Sequence, residues 1–121
     1  MTWPVFFHVA FAEEFQDYSQ SVQDEIAAIA GLLVGLGPSL KRPHADTLKG
    51  SRFANMKELR FNADDGAWRL AYAFDPERKA ILLVAGDKSG TSSTRFYKTL
   101  IAKADIRFAT HLDEMKKRTK K

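Results

Sequence analysis

The 121-residue sequence contains no cysteine, which excludes disulfides, thiolate metal sites and cysteine nucleophiles and fits a reducing compartment. It also lacks any apolar run approaching the roughly 18 residues of a membrane-spanning helix. The opening MTWPVFFHVAFAEEF has no basic residue before its apolar stretch and meets acidic residues at once, so it is not patterned as a secretion signal. These absences point to the cytoplasm and away from a membrane. The three histidines, His8, His44 and His111, have no metal-ligand spacing, and neither a metal nor another cofactor is expected. There is no G-x-S-x-G hydrolase elbow. The segment Gly86-Asp87-Lys88-Ser89-Gly90-Thr91 departs from the order of a triphosphate-binding loop, because Lys88 precedes Gly90.

What is present argues for a folded chain: 45% hydrophobic and 12% aromatic residues supply a core, and 28% charged residues supply a polar surface. At this length one domain over residues 1–121 is expected. Lysine and arginine number 19 against 15 acidic residues, a net charge of +4 that suits a polyanionic partner, although many basic chains of this size bind no nucleic acid.

Residues Trp3 to Val9 are aromatic and β-branched and predict a strand, and Ala12 to Gln20 has helical spacing. Ser21 and Asp24 form a possible capping box for a second helix. Its apolar positions Val22, Ile26, Ile29, Leu33 and Leu36 run up to the stop at Gly37-Pro38. Ser39 to Asp46 reads as a loop, followed by short extended candidates in TLKGS and NMKELRF. A turn over Asn62 to Gly66 joins NMKELRF to AWRLAYAF, and Asp75-Pro76-Glu77-Arg78 joins that strand to KAILLVAG, giving an antiparallel meander. Ser92 or Ser93 caps a last helix with the stripe Tyr97, Leu100, Ile101, Ala104, Phe108, Leu112 and Met115, and a basic tail occupies about 116–121.

Strand alternation separates Met56, Glu58 and Arg60 from Lys57, Leu59 and Phe61. On the next strand it separates Ala67, Arg69, Ala71 and Ala73 from the bulky Trp68, Leu70, Tyr72 and Phe74, which should be buried. Arg60 and Arg69 should then emerge together on an open, solvent-facing side that the alanines keep shallow, a candidate phosphate site. The competing reading is an ordinary cross-strand ion pair of Arg69 with Glu58 or an acidic turn residue, and Glu58 could also pair with Arg60. Lys88, at the end of the last strand, is within reach of this face, and Tyr97 begins the helix that follows. The competing reading makes Lys88 a solvated loop cation and Tyr97 the edge of the core stripe. Lys57, His44 and Lys98 are further candidate RNA contacts, His44 from the loop upstream of the meander.

LKGSRFANMKELRF, DDGAWRLAYAF, KAILLVAGDKSG and RFYKTLIAKAD together resemble the HigB branch of the RelE/ParE toxin superfamily, including its phage-derived members, over about Leu48 to Asp105. The resemblance implies a small α+β domain: two N-terminal helices, a four-stranded, largely antiparallel sheet and a C-terminal helix. It implies the toxin of a type II toxin-antitoxin pair, a metal-independent endoribonuclease that cuts mRNA on the ribosome, with a helix-turn-helix, HigA-like antitoxin as partner. A ParE-like inhibitor of DNA gyrase, or an inactive phage relic that binds only an antitoxin, are the other functions the superfamily offers. The positions matching its basic sheet face are Arg60, Arg69 and Lys88, with Tyr97 matching a tyrosine near the final helix. Glu58, a candidate general base, stands where RelE has a basic residue.

Overall fold

Two aspartates make the central turn: Asp64 (φ 50°) and Asp65 (φ 60°) both take the left-handed conformation, the geometry of a two-residue hairpin loop that matches strand twist. They join β3 (Lys57–Ala63) to β4 (Gly66–Phe74), and a turn through Arg78 (φ 66°) joins β4 to β5 (Ala80–Asp87). The expected meander is therefore present. The computed structural model describes residues 2–119, with side chains through residue 118. Ahead of the meander lie β1 (Val5–Phe7), α1 (Val9–Gln16), α2 (Gln20–Leu36), a 3-10 turn (Gly37–Ser39) and β2 (Ala45–Thr47), and behind it lies α3 (Ser93–Thr119). Lys120 and Lys121 of the basic tail fall outside the described residues, and residues 116–119 continue α3.

The α+β class holds, with five strands rather than four. The sheet order is β1-β5-β4-β3-β2, and β1 runs parallel to β5, so the sheet is mixed. The extra strand is β2, which pairs antiparallel with β3 and takes Ala45 and Asp46 from the segment that reads as loop and Thr47 from the extended candidate TLKGS, the rest of which forms no strand. Three residues are too few to show a period. The first helix starts earlier than its spacing suggests, because the His8 imidazole caps it by accepting from Ala10 N at 3.1 Å. Ser19, not Ser21, caps α2, its hydroxyl accepting from Val22 N at 3.2 Å.

The sheet is covered on both faces. Phe11 of α1 and Val22, Ile26, Ile29 and Leu33 of α2 pack on Leu59, Phe61, Leu70 and Tyr72. On the opposite face Leu100, Ala104 and Phe108 of α3 pack on Met56, Ala71, Ala73, Ile81 and Leu83. This second layer corrects the expectation of an open arginine face. The alanines at 71 and 73 are fully buried: the room they leave is taken by α3 instead of a ligand. Arg107 ties the layers together, donating to both carboxylate oxygens of Glu14 at 2.8 and 2.6 Å and to the Leu83 carbonyl at 2.7 Å. Those bonds hold the Glu14 carboxyl below its usual range.

The Tyr72 hydroxyl is buried in the α2 layer without a hydrogen-bond partner in the protein, a defect worth about 1–3 kcal/mol. Burial also pushes Tyr72 and Tyr18 up to about 12. Since these folded values lie above the unfolded one near 10, the stability they contribute is complete below pH 10 and lost as pH rises toward 12. Tyr72→Phe should raise the urea midpoint at pH 8 and shrink the fall in midpoint between pH 9 and pH 11. A lower midpoint at pH 8 would show that the hydroxyl is bonded after all.

Candidate functional site

Arg60 of β3 and Arg69 of β4 are direct cross-strand partners, an arrangement that is repulsive for two cations unless an anion is shared. Glu58, two residues before Arg60 on the same face, supplies it. One carboxylate oxygen lies 3.4 Å from Arg60 Nη1, and the other lies 3.9 Å from Arg69 Nε and accepts from the Tyr97 hydroxyl at 2.8 Å. Tyr97 in turn accepts from Arg69 Nε at 3.3 Å, and Arg69 Nη1 donates to the Trp68 carbonyl at 2.9 Å. Side-chain exposure falls from 28% at Arg60 to 8% at Arg69 and 5% at Glu58. The cluster thus has a buried floor, Glu58 and Arg69, and a more accessible rim.

Lys88 completes the rim, its ammonium 5.9 Å from the centre of the Tyr97 ring. The loop that carries it is fixed on both sides. Lys88 N donates to the Ala67 carbonyl at 2.8 Å, Ala67 N donates to the Ser89 hydroxyl at 3.0 Å, and Ser89 N donates to Asp87 Oδ1 at 2.8 Å. The Asp87 carboxylate lies directly over Gly66, where a Cβ would collide with it. Sequence reading singled out Lys88 without its supports Gly66, Asp87 and Ser89; the Asp-x-Ser spacing of an Asx turn was the available signal.

Burial pushes Tyr97 upward from its ordinary value, and the hydrogen bond to Glu58 adds to that shift, so the hydroxyl keeps its proton at neutral pH and serves as a donor. The fold thus brings together Glu58, Arg60, Arg69, Lys88 and Tyr97. His44 is exposed beside the rim, where its carbonyl accepts from Arg60 N at 2.8 Å. Lys98 is exposed on α3 one residue beyond Tyr97. Lys57 points to the opposite face and lines a hollow with Lys41, Arg42 and Asp46, away from the cluster. Trp68, expected in the core, is only partly buried, stacked on Phe61 and edge-on to Tyr18.

The architecture defines the class of protein. It has the RelE fold: a doubly arginine-substituted mutant of Escherichia coli toxin RelE in the free state superposes with a TM-score of 0.60 at 12% identity, over 85% of this chain and 97% of that one. A chain of the archaeal RelE-RelB complex from Pyrococcus horikoshii OT3 gives a TM-score of 0.54 at 16% identity, over 75% of this chain and all of that one. The chain belongs to the phage-derived Gp49-like protein family (DUF891), whose profile matches residues 13–109. It is similar to two candidate toxins of Mycobacterium tuberculosis (strain ATCC 25618 / H37Rv). It is 48% identical to HigB2 over 77 residues, 63% of this chain, and spans 38% of that protein's length. It is 44% identical to HigB3 over 88 residues, 70% of this chain and 75% of that protein.

Removing one partner of a buried ion pair costs about 3–5 kcal/mol, because it strands the other charge. Arg69→Ala should therefore lower the melting temperature sharply, not leave the fold intact as a solvent-facing arginine would. Glu58→Gln added to Arg69→Ala should recover part of the loss in a double-mutant cycle. Additive losses would mean that the two side chains are not coupled.

Proposed function

We propose that this chain is the toxin of a type II toxin-antitoxin pair and cleaves mRNA on the ribosome without a metal. The observation that carries the reading is the convergence of a carboxylate, a protonated tyrosine and three cations at one end of the sheet. Cleaving RNA requires no enzyme nucleophile, since the substrate's 2′-hydroxyl can attack the adjacent phosphorus. The enzyme must then take the 2′ proton, neutralise the phosphorane and protonate the departing 5′-oxygen.

In this reading the Arg60 guanidinium holds the non-bridging phosphate oxygens. The 2′ proton passes to Glu58 through the Tyr97 hydroxyl, and the Lys88 ammonium gives a proton to the 5′-oxygen as its bond to phosphorus breaks. The products are a 2′,3′-cyclic phosphate and a 5′-hydroxyl. Arg69, too buried to touch substrate, acts as a positioning residue that holds Glu58 and Tyr97. His44 and Lys98 are placed to contact RNA beside the rim, whereas Lys57 lies too far round the sheet for that role. Relatives named as toxins and the RelE-RelB complex of a structural neighbour support an antitoxin partner. We assign that partner to the helix-turn-helix, HigA-like type, and the toxin to the cytoplasm where ribosomes are. No described helix is long and apolar enough to cross a membrane.

Induced expression should arrest growth and create new 5′ ends within translated frames, mapped by primer extension. Lys88→Ala should fold normally and slow cleavage on programmed ribosomes by about 10²-fold or more, the scale of one lost charge-stabilising contact. Growth arrest with intact transcripts and trapped gyrase-DNA complexes would overturn the RNase reading in favour of a gyrase inhibitor.

A further inference from the structure

A second concavity borders the cluster. It has a volume of about 560 Å³, within the roughly 300–1,000 Å³ typical of small-ligand sites. It lies between α2 and the outer edge of β3, with Ala28, Ile29, Leu32, Pro43 and Phe61 forming apolar walls and Glu25, His44, Arg60 and Asn62 as its polar groups. Arg60 is common to this groove and to the cluster, where it faces Glu58.

The polar groups of the groove have spare hydrogen-bonding capacity. β2 ends its pairing at Ala45 opposite Leu59, and beyond it only the bond from Arg60 N to the His44 carbonyl continues the ladder. Backbone groups alternate sides along an antiparallel strand, and those of Met56 and Arg60 point toward β2. Asn62 therefore directs its N–H and C=O outward past the end of β2, and its amide side chain is exposed beside them. Glu25 is exposed on the facing helix. Apolar walls, a backbone donor and acceptor on one edge, a carboxylate on the other, and an arginine shared with the neighbouring cluster are features that suit a planar base attached to a phosphate.

We propose that this groove is a nucleobase subsite, taking the base next to the cleaved phosphodiester while Arg60 holds that nucleotide's phosphate at the cluster. This rests on the RNA-cleavage reading and adds the element that selects sequence. Glu25 favours a base with adjacent donors on its pairing edge, as guanine has. Uracil fits worst, because its single donor is flanked by two carbonyls that would meet the carboxylate.

Two measurements test it. In the first, the isolated protein is titrated with guanosine 5′-monophosphate, uridine 5′-monophosphate and inorganic phosphate, and backbone amide shifts are followed by NMR. Guanosine monophosphate should shift Leu32, His44 and Asn62 and phosphate should not; shifts confined to the neighbourhood of Arg60 and Lys88 with all three would overturn the proposal. In the second, ribosomes programmed with each of the four bases beside the cleavage site are treated with wild type, Glu25→Gln, Asn62→Ala and the groove-filling Leu32→Trp. Glu25→Gln should change the ranking of bases, and Leu32→Trp should lower kcat/KM about tenfold, the scale of a lost base contact. Unchanged ranking and rate in all three variants would overturn the subsite. So would a Leu32→Trp protein that cleaves normally but escapes its antitoxin, which would give the groove to the protein partner. Wild-type protein that leaves mRNA intact would defeat the cleavage reading itself, and the titration would still report on the groove.

Discussion

Two arginines stand directly opposite each other on β3 and β4, and the arrangement of the site follows from how that repulsion is relieved. Glu58 is the relieving charge, but it lies with Arg69 under α3, where an incompletely satisfied ion is costly. The Tyr97 hydroxyl meets the requirement from α3 by bonding both partners at once. Tyr97 can do so only if α3 lies close to the sheet, which the buried Ala71, Ala73 and Ala104 permit. The packing of the helix and the polarity of the site are thus one constraint: moving α3 outward would expose the core and also unpair the carboxylate.

A gradient of burial then separates roles. Glu58 and Arg69 are fixed beneath the surface with Tyr97 over them, whereas Arg60 and Lys88 retain exposure and can be shared with a ligand. Preorganised charge of this kind stabilises a developing anion without the cost of reorienting groups during the reaction. The loop carrying Lys88 is held by Asp87, Ser89 and Gly66, so the accessible end of the site is as well supported as the buried end. The groove beyond Arg60 extends the same surface along the unpaired edge of β3.

Much of this was legible in the sequence. The aspartate turn and the strand alternation placed Glu58, Arg60 and Arg69 on one face, the end of the last strand and the start of the last helix brought Lys88 and Tyr97 near it, and the resemblance to the toxin superfamily matched Arg60, Arg69, Lys88 and Tyr97 to its site. Strand alternation, however, says which residues share a face and nothing about what covers it. Alanines at 71 and 73 are equally suited to a ligand and to a close-packed helix, and only the tertiary structure distinguishes the two. Strand β2 and the His8 cap escaped because one is too short to show a period and the other uses an uncommon capping residue. The role of Asn62 was hidden because it depends on where β2 ends.

The Tyr97 hydroxyl joins the buried carboxylate to the buried guanidinium beneath the Arg60 and Lys88 rim to which we assign RNA cleavage. The most direct measurement is single-turnover cleavage of mRNA on programmed ribosomes by Tyr97→Phe, with its thermal melt recorded in parallel. The ring and its packing on Phe96 are retained in this variant, and only the oxygen is removed. If this hydroxyl relays the proton, Tyr97→Phe remains folded and cleaves about 10²-fold or more slowly than wild type. A folded Tyr97→Phe protein cleaving at the wild-type rate would contradict that role.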